Sequence, residues 1–365
     1  MQGYYAEKLK KERFSFDEEE TRQYLQLDSV LTGLFGVCRR LFGVEIAQIE
    51  DPTTIGAQVW DQGVRVFEVR REDSPIGYFF LDPFARPSEK KGGAWMNGAI
   101  GRSRALAPPG SEVRLPVAIL VCNQSEPTVD PTTGAVTPSL MTFNECTTLF
   151  HETGHGLQHM LTNVSEGNVS GISGVEWDAV EQPSQFMEYW VLEEATLSAM
   201  ARHWQTGESI PKELVSKIRA AKNFRAASAM LRQVQFAMTD LALHDASYVG
   251  TPGAALDVYR ETAKRTAVKP PLAEDRFLNA FAHIFAGGYA AGYFSYKWAE
   301  VLSADGFAAF EEGGLDKDWV VEGLGRLYAD TVLGMGGSKP AAEVFELFRG
   351  RAPQATALLR HNDLV

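Results

Sequence analysis

Residues 149–159 read Leu-Phe-His-Glu-Thr-Gly-His-Gly-Leu-Gln-His. Within them, His151-Glu152-x-x-His155 has the HExxH spacing. Residues four apart on a helix project from one face, so both imidazoles can reach one Zn²⁺ ion. The glutamate after the first histidine then sits beside the metal without binding it. There it can take a proton from water and pass it to a leaving amine. Leu149, Phe150, Leu157 and Leu161 give this helix a buried stripe. Gly154 and Gly156 are poor helix formers, each costing up to about 1 kcal/mol relative to Ala. That cost makes sense where another backbone or a substrate comes close. His159 continues the i, i+4 series, but a third ligand one further turn along is poorly placed to complete a tetrahedron. It reads as a supporting or surface residue.

Such a site needs a third protein ligand and one open position. No HxxGxxH extension follows His155, so the ligand is expected to be a carboxylate on a following helix. Residues 176–190 (EWDAVEQPSQFMEYW) offer Glu176, Asp178, Glu181 and Glu188. The spacing alone leaves the choice open. Asp178-x-x-Glu181 also fits a helix capping box. Asp178 and Glu188 could orient a ligating imidazole, or simply cap a helix and charge a surface.

Working outward, residues 4–24 are rich in Lys, Glu and Tyr and read as a solvent-facing helix. Residues 26–43 carry Leu27, Val30, Leu31, Leu34, Val37 and Leu41 at helical spacing, with Asp28-Ser29 able to cap the start. The texture changes after Asp51-Pro52. Residues 64–71 and 76–81 are β-branched and aromatic runs separated by Glu72-Asp73-Ser74-Pro75, a hairpin pattern. Residues 85–114 and 124–138 read as loops, and 116–122 (PVAILVC) as a strand. That strand suits either a sheet edge that binds extended substrate or a plain core position. From Thr142 onward the pattern is helical: 142–162, 178–202, 212–247, 254–265, 274–284, 292–311, 317–331 and 340–360. No repeat and no strand–helix alternation appears. The class is therefore mainly α with a small β-sheet (α+β). The domain reading is 1–50 leading helices, 51–141 sheet and loops, and 142–365 helical body.

Composition narrows the partners. The 365 residues hold 35 Lys plus Arg against 47 Asp plus Glu, a formal net charge of −12. Nucleic-acid binding needs clustered cations, so it is not expected. No run of 18 or more apolar residues is present, so no membrane-spanning helix is expected. Cys38, Cys122 and Cys146 are odd in number and widely spaced, which suits buried reduced thiols. The first residues, MQGYYAEKLKKERFSFDEEE, have no apolar core and resemble neither a secretory signal nor a transit peptide.

The stretch LFHETGHGLQHML, followed by GVEWDAVEQPSQFMEYW, resembles the thimet oligopeptidase family of zinc peptidases, family M3. The likeness is nearest to its oligopeptidase A branch. Residues 281–305 (FAHIFAGGYAAGYFSYKWAEVLSAD), 224–244 and 78–96 carry further matching blocks, so the likeness runs over nearly the whole chain. It implies a zincin-like catalytic region that hydrolyses internal bonds of short peptides, using zinc-activated water and a glutamate base. The implied zinc ligands are His151, His155 and Glu181, and the implied base is Glu152. Tyr296, Tyr289 and His283 are implied to stabilise the oxyanion, and Tyr293 with Gly287 and Gly288 to bind substrate on a closing loop. A neutral phenol suits that task because it donates a hydrogen bond without adding ground-state charge. Without the resemblance, Tyr289, Tyr293 and Tyr296 read as an ordinary helix stripe.

Two departures stand out. Thr153 replaces a usual Phe and Gln158 a frequent His. Thr153 removes a packing group but no ligand, so altered stability is expected more than lost chemistry. Family members are also far longer, with an N-terminal helical half that this chain lacks. The chain is thus expected to be cytoplasmic, or chloroplast or mitochondrial if a targeting segment lies upstream. Association with the missing half or another chain is a further expectation. The competing reading is a partner-dependent half-protein that binds peptides without turnover.

Overall fold

The structure is a computed structural model and describes residues 2–365. Its first half contains α1 (Gln2–Phe14), α2 (Glu18–Arg22), α3 (Leu27–Phe42), β1 (Glu45–Gln48), β2 (Arg65–Arg71), β3 (Ser74–Phe84), β4 (Trp95–Ile100), β5 (Val117–Gln124), β6 (Thr128–Val129), β7 (Val136–Thr137) and α4 (Phe143–Met160). Then come α5 (Gln182–Trp190), α6 (Glu194–Met200), α7 (Lys212–Ala221), α8 (Ala226–His244), α9 (Ala254–Thr266), α10 (Ser295–Gly313), α11 (Asp318–Tyr328), α12 (Ala341–Arg349) and α13 (Thr356–His361). The chain is mainly helical with a small mixed sheet, the class its sequence implies. It forms two compact units. The first holds the described residues up to Val175, with Pro183–Lys222 and Gly306–Pro353. The second holds Glu176–Gln182, Asn223–Asp305 and Gln354–Val365.

In the first unit, the stripe Leu27, Val30, Leu31, Leu34, Val37 and Leu41 turns α3 into the core. The helix stops at Gly43, whose φ of 61° is a left-handed cap that a side chain disfavours. The five-stranded sheet has the order β1-β2-β3-β5-β4. β3 and β5 are parallel, and the other pairs are antiparallel. α4 lies on the sheet, where a Cβ at Gly156 would sit 3.0 Å from the Leu120 side chain of β5. Phe186 of α5 stacks on Tyr328 of α11 with ring centroids 4.1 Å apart, at the centre of the core. The loop after β3 is pinned by buried Asp82, which accepts from both terminal nitrogens of Arg86, from Lys90 and from the Trp60 indole. Burial opposes ionisation of Asp82, but those donors outweigh it and hold its pKa below the ordinary value.

The second unit has its own core. Phe236 of α8, Tyr259 of α9, Leu278, Phe281, Ile284 and Tyr293 are buried together. Phe236 stacks on Phe277 at 4.6 Å, and the Arg232 guanidinium lies 4.7 Å from the Phe236 ring centroid.

Several expected elements differ from those observed, each for a local reason. The helix expected over 4–24 breaks at Ser15 (φ 49°), and Asp17 then caps α2. α3 starts without a side-chain cap, so Asp28-Ser29 do not serve as one. β4 lies inside the expected loop 85–114, and β6 with β7 inside 124–138. β4 is an edge strand of mostly exposed residues with a bulge at Gly98/Ile100, so it carries no apolar alternation. β5 lies between β3 and β4, so 116–122 is an interior strand and not an edge. The helix expected over 178–202 begins only at Gln182. Pro183 fits a first turn but cannot donate within a helix that starts earlier. The helix expected over 212–247 divides at Arg225 (φ 65°). The span 274–284 forms two short 3₁₀ turns instead of an α-helix. Gly350 (φ 74°) ends α12 and divides 340–360.

Candidate metal and catalytic site

α4 is started by a reciprocal cap. The Thr142 hydroxyl accepts from Glu145 N–H at 3.1 Å, and the Glu145 carboxylate accepts from Thr142 N–H at 2.7 Å. Two turns on, His151 and His155 share a face, with ring centroids 5.1 Å apart. His151 Nδ1 lies 2.6 Å from Glu188 Oε1 of α5. That approach depends on Gly154. A Cβ there would lie 2.4 Å from the Pro183 carbonyl oxygen and 2.5 Å from Ser184 Cα. The close backbone anticipated at Gly154 is therefore α5 itself.

Among the described residues, His151, His155 and Glu181 form a group of potential metal donors whose ligand atoms lie within 4.8 Å of one another. Two imidazole nitrogens and one carboxylate oxygen are a donor set that suits Zn²⁺ and leaves room for a further ligand. Of the four carboxylates left open by the sequence, Glu181 is the one in this group. It precedes α5 in a turn, so the capping-box reading of Asp178 and Glu181 does not hold. Glu188 contacts the imidazole edge instead, while Asp178 makes no such bond. Glu152, on the same helix, is buried.

The tyrosines converge on Glu181. The Tyr289 hydroxyl donates to Glu181 Oε1, and the Tyr289 ring stacks on Tyr296 at 4.8 Å. Trp177 packs on the Tyr289 ring, also at 4.8 Å. Burial, then the Glu181 charge, push the pKa values of Tyr289 and Tyr296 far above the ordinary phenol value. Burial raises Tyr293 to about 12. Tyr293 donates to Gln233 Oε1 at 3.0 Å. Tyr289 and Tyr293 precede α10, so the three are not a helix stripe. His283 is exposed, with its ring centroid 5.9–6.2 Å from those of all three tyrosines. Gly287 and Gly288 turn the chain between them. Gly288 has φ 85°, and a Cβ at Gly287 would lie 2.8 Å from His283 Cα.

His159 is neither in the metal group nor on the surface. It is buried, with Nε2 2.8 Å from the Ile100 carbonyl oxygen of β4, and desolvation lowers its pKa. Thr153 donates to the Leu149 carbonyl at 2.7 Å, which satisfies its hydroxyl inside the helix. The three cysteines are free and buried, and burial pushes Cys38 up to about 12. Two residues escaped the sequence reading: Trp177, and Asp240 of α8. A lone Asp inside an amphipathic helix carries no local signal that it serves a distant loop.

The profile of Peptidase family M3 matches residues 2–364. The chain belongs to peptidase family M3. This M3 chain is 50% identical over 363 residues to organellar oligopeptidase A, chloroplastic/mitochondrial, of Arabidopsis thaliana, covering 99% of this chain and 45% of that protein. It is 49% identical to the probable cytosolic oligopeptidase A of the same plant, with 99% and 50% covered. It is 44% identical to oligopeptidase A of Escherichia coli (strain K12), with 98% and 50% covered. The chain thus spans about half the length of the curated relatives it matches. Among solved structures, one described as BsuCP aligns at TM-score 0.52 and 13% identity over 96% of this chain and 62% of that one. PZ peptidase A with inhibitor 2 aligns at 0.51 and 16%, over 77% and 42%. At such identities they bear on the M3 chain's fold alone, and they support the zincin-like class. No helix among its described residues is long and apolar enough to cross a membrane.

Proposed function

We propose that this chain is the catalytic region of a zinc-dependent endopeptidase that hydrolyses internal bonds of short oligopeptides. The observation that carries the reading is the His151, His155 and Glu181 group on an HExxH helix. These three residues would hold the ion, which when bound supplies Lewis-acid polarisation of the scissile carbonyl and an acidified water. Glu152 takes the proton of the attacking water on its carboxylate and returns it to the leaving nitrogen. Glu188 fixes the His151 ring by accepting from Nδ1–H. The Tyr289 and Tyr296 hydroxyls, with His283, donate to the oxygen on which charge develops. Tyr293, Gly287 and Gly288 shape the loop that receives substrate. By analogy with its relatives, the chain works in the cytosol or in an organelle.

The second reading is a partner-dependent half-protein that binds peptides or another chain without turnover of its own. It is favoured by the relatives being about twice as long. One experiment separates the two. The purified chain is given an internally quenched peptide of about ten residues, with and without a chelator, beside Glu152→Gln. Chelator-sensitive cleavage, lost in Glu152→Gln while metal content persists, supports the peptidase. No cleavage by folded, zinc-loaded chain overturns it in favour of the partner-dependent reading.

A further inference from the structure

The loop that carries the tyrosines hangs on one buried carboxylate. Asp240 of α8 is fully buried. Its Oδ1 accepts from Ala291 N–H at 2.9 Å and its Oδ2 from Tyr293 N–H at 2.8 Å. His244 Nδ1 lies 2.9 Å from Oδ1 and 2.9 Å from the Asp240 carbonyl oxygen, which keeps the carboxylate in place. Ala291 has φ 54°, a left-handed conformation that a Cβ disfavours and that persists only where surroundings enforce it. Gly287 and Gly292 beside it sit where a Cβ would meet His283 Cα at 2.8 Å and the Trp177 ring at 2.9 Å, so the loop is closely packed and its own residues add little stiffness.

We infer that Asp240 is a positioning residue: by gripping the amides of Ala291 and Tyr293, it holds the loop so that the Tyr289 hydroxyl meets Glu181. This rests on the peptidase reading for its consequence, but not for its geometry. A carboxylate is the right group, because both of its oxygens accept. An asparagine offers one acceptor and turns an N–H donor against the second amide.

The structure also supplies a reporter. Trp177 packs on Tyr289, and a Cβ at Gly292 would lie 2.9 Å from its ring. The test is Asp240→Asn in fluorotryptophan-labelled chain, with the Trp177 fluorine resonance assigned through Trp177→Phe. The expected result is unchanged helix and zinc content, a shifted or broadened Trp177 resonance, and kcat lowered about ten-fold or more. An unmoved Trp177 resonance with unchanged kcat overturns the inference. So does a loss of zinc with kcat and KM failing together, which marks a general structural role. Amide exchange in the wild-type chain decides the matter if Asp240→Asn does not fold. Ala291 and Tyr293 amides are expected to be protected, and exchange as fast as free amides overturns the clamp. A wild-type chain that cleaves nothing sinks the peptidase reading alone, since the fluorine and exchange readings still judge Asp240.

Discussion

Glu188 Oε1 sits 2.6 Å from His151 Nδ1, and this contact selects which imidazole nitrogen is available to a ligand. A carboxylate accepting from Nδ1–H fixes the tautomer and would leave Nε2 as the donor to a bound metal. It also stops the ring from rotating, so binding an ion orders less of the side chain. Glu188→Ala is expected to weaken zinc binding roughly 10- to 100-fold while leaving the fold intact. Competition against a chelating dye measures this, and wild-type affinity in the variant would refute the role. The sequence offered Glu188, beside Asp178, as a carboxylate able to orient a ligating imidazole, without deciding between that and a surface charge or helix cap. Its partner is 37 positions away, and no local pattern encodes that distance.

At the scale of elements, the site depends on how closely α4 and α5 approach. Ala is a better helix former than Gly by about 1 kcal/mol, so propensity alone favours Gly154→Ala. Packing opposes it. The added Cβ would meet the Pro183 carbonyl at 2.4 Å and Ser184 Cα at 2.5 Å, and backbone cannot swing aside as a flexible side chain can. Overpacking of this kind costs about 1–3 kcal/mol, so a net loss of stability is expected. Urea unfolding, with zinc titration alongside, should show a lower midpoint and weaker binding. A stabilised variant would mean that the two helices are less closely coupled than they appear.

Across the whole molecule, the metal-helix unit and the tyrosine-bearing unit each have their own core. The second core is rich in phenols whose pKa values burial has raised, with Tyr293 going from 10.0 to about 12. Native phenols therefore hold their protons more tightly than unfolded ones. This contribution to stability is full below pH 10.0 and is lost as pH rises through about 12. Alkaline titration followed by tyrosinate absorbance and circular dichroism should show a subset of the 11 tyrosines ionising only as helicity falls. Ionisation of all 11 in a fully helical chain would contradict the burial of these rings.

The HExxH spacing, the stripe of α3, the β2–β3 hairpin and the mainly helical class were all legible in the sequence. Each is a local periodicity, or a turn between two periodic runs, so neighbouring residues are enough to define it. Helix ends at Ser15, Gln182 and Arg225 were not legible, because the positive φ at Ser15 and Arg225 and the late start of α5 at Gln182 leave the apolar periodicity around them unbroken. Strand β4 was not legible either, since an exposed edge needs its partner β5 and not its own side chains to be a strand. Spacing left four carboxylates open and the family resemblance implied Glu181; the tertiary structure puts Glu181 in one donor group with His151 and His155, hands Glu188 to His151 and binds Asp240 to the tyrosine loop. Those choices are contacts between residues far apart in the chain. Residue type can nominate such partners, but packing decides which of them meet.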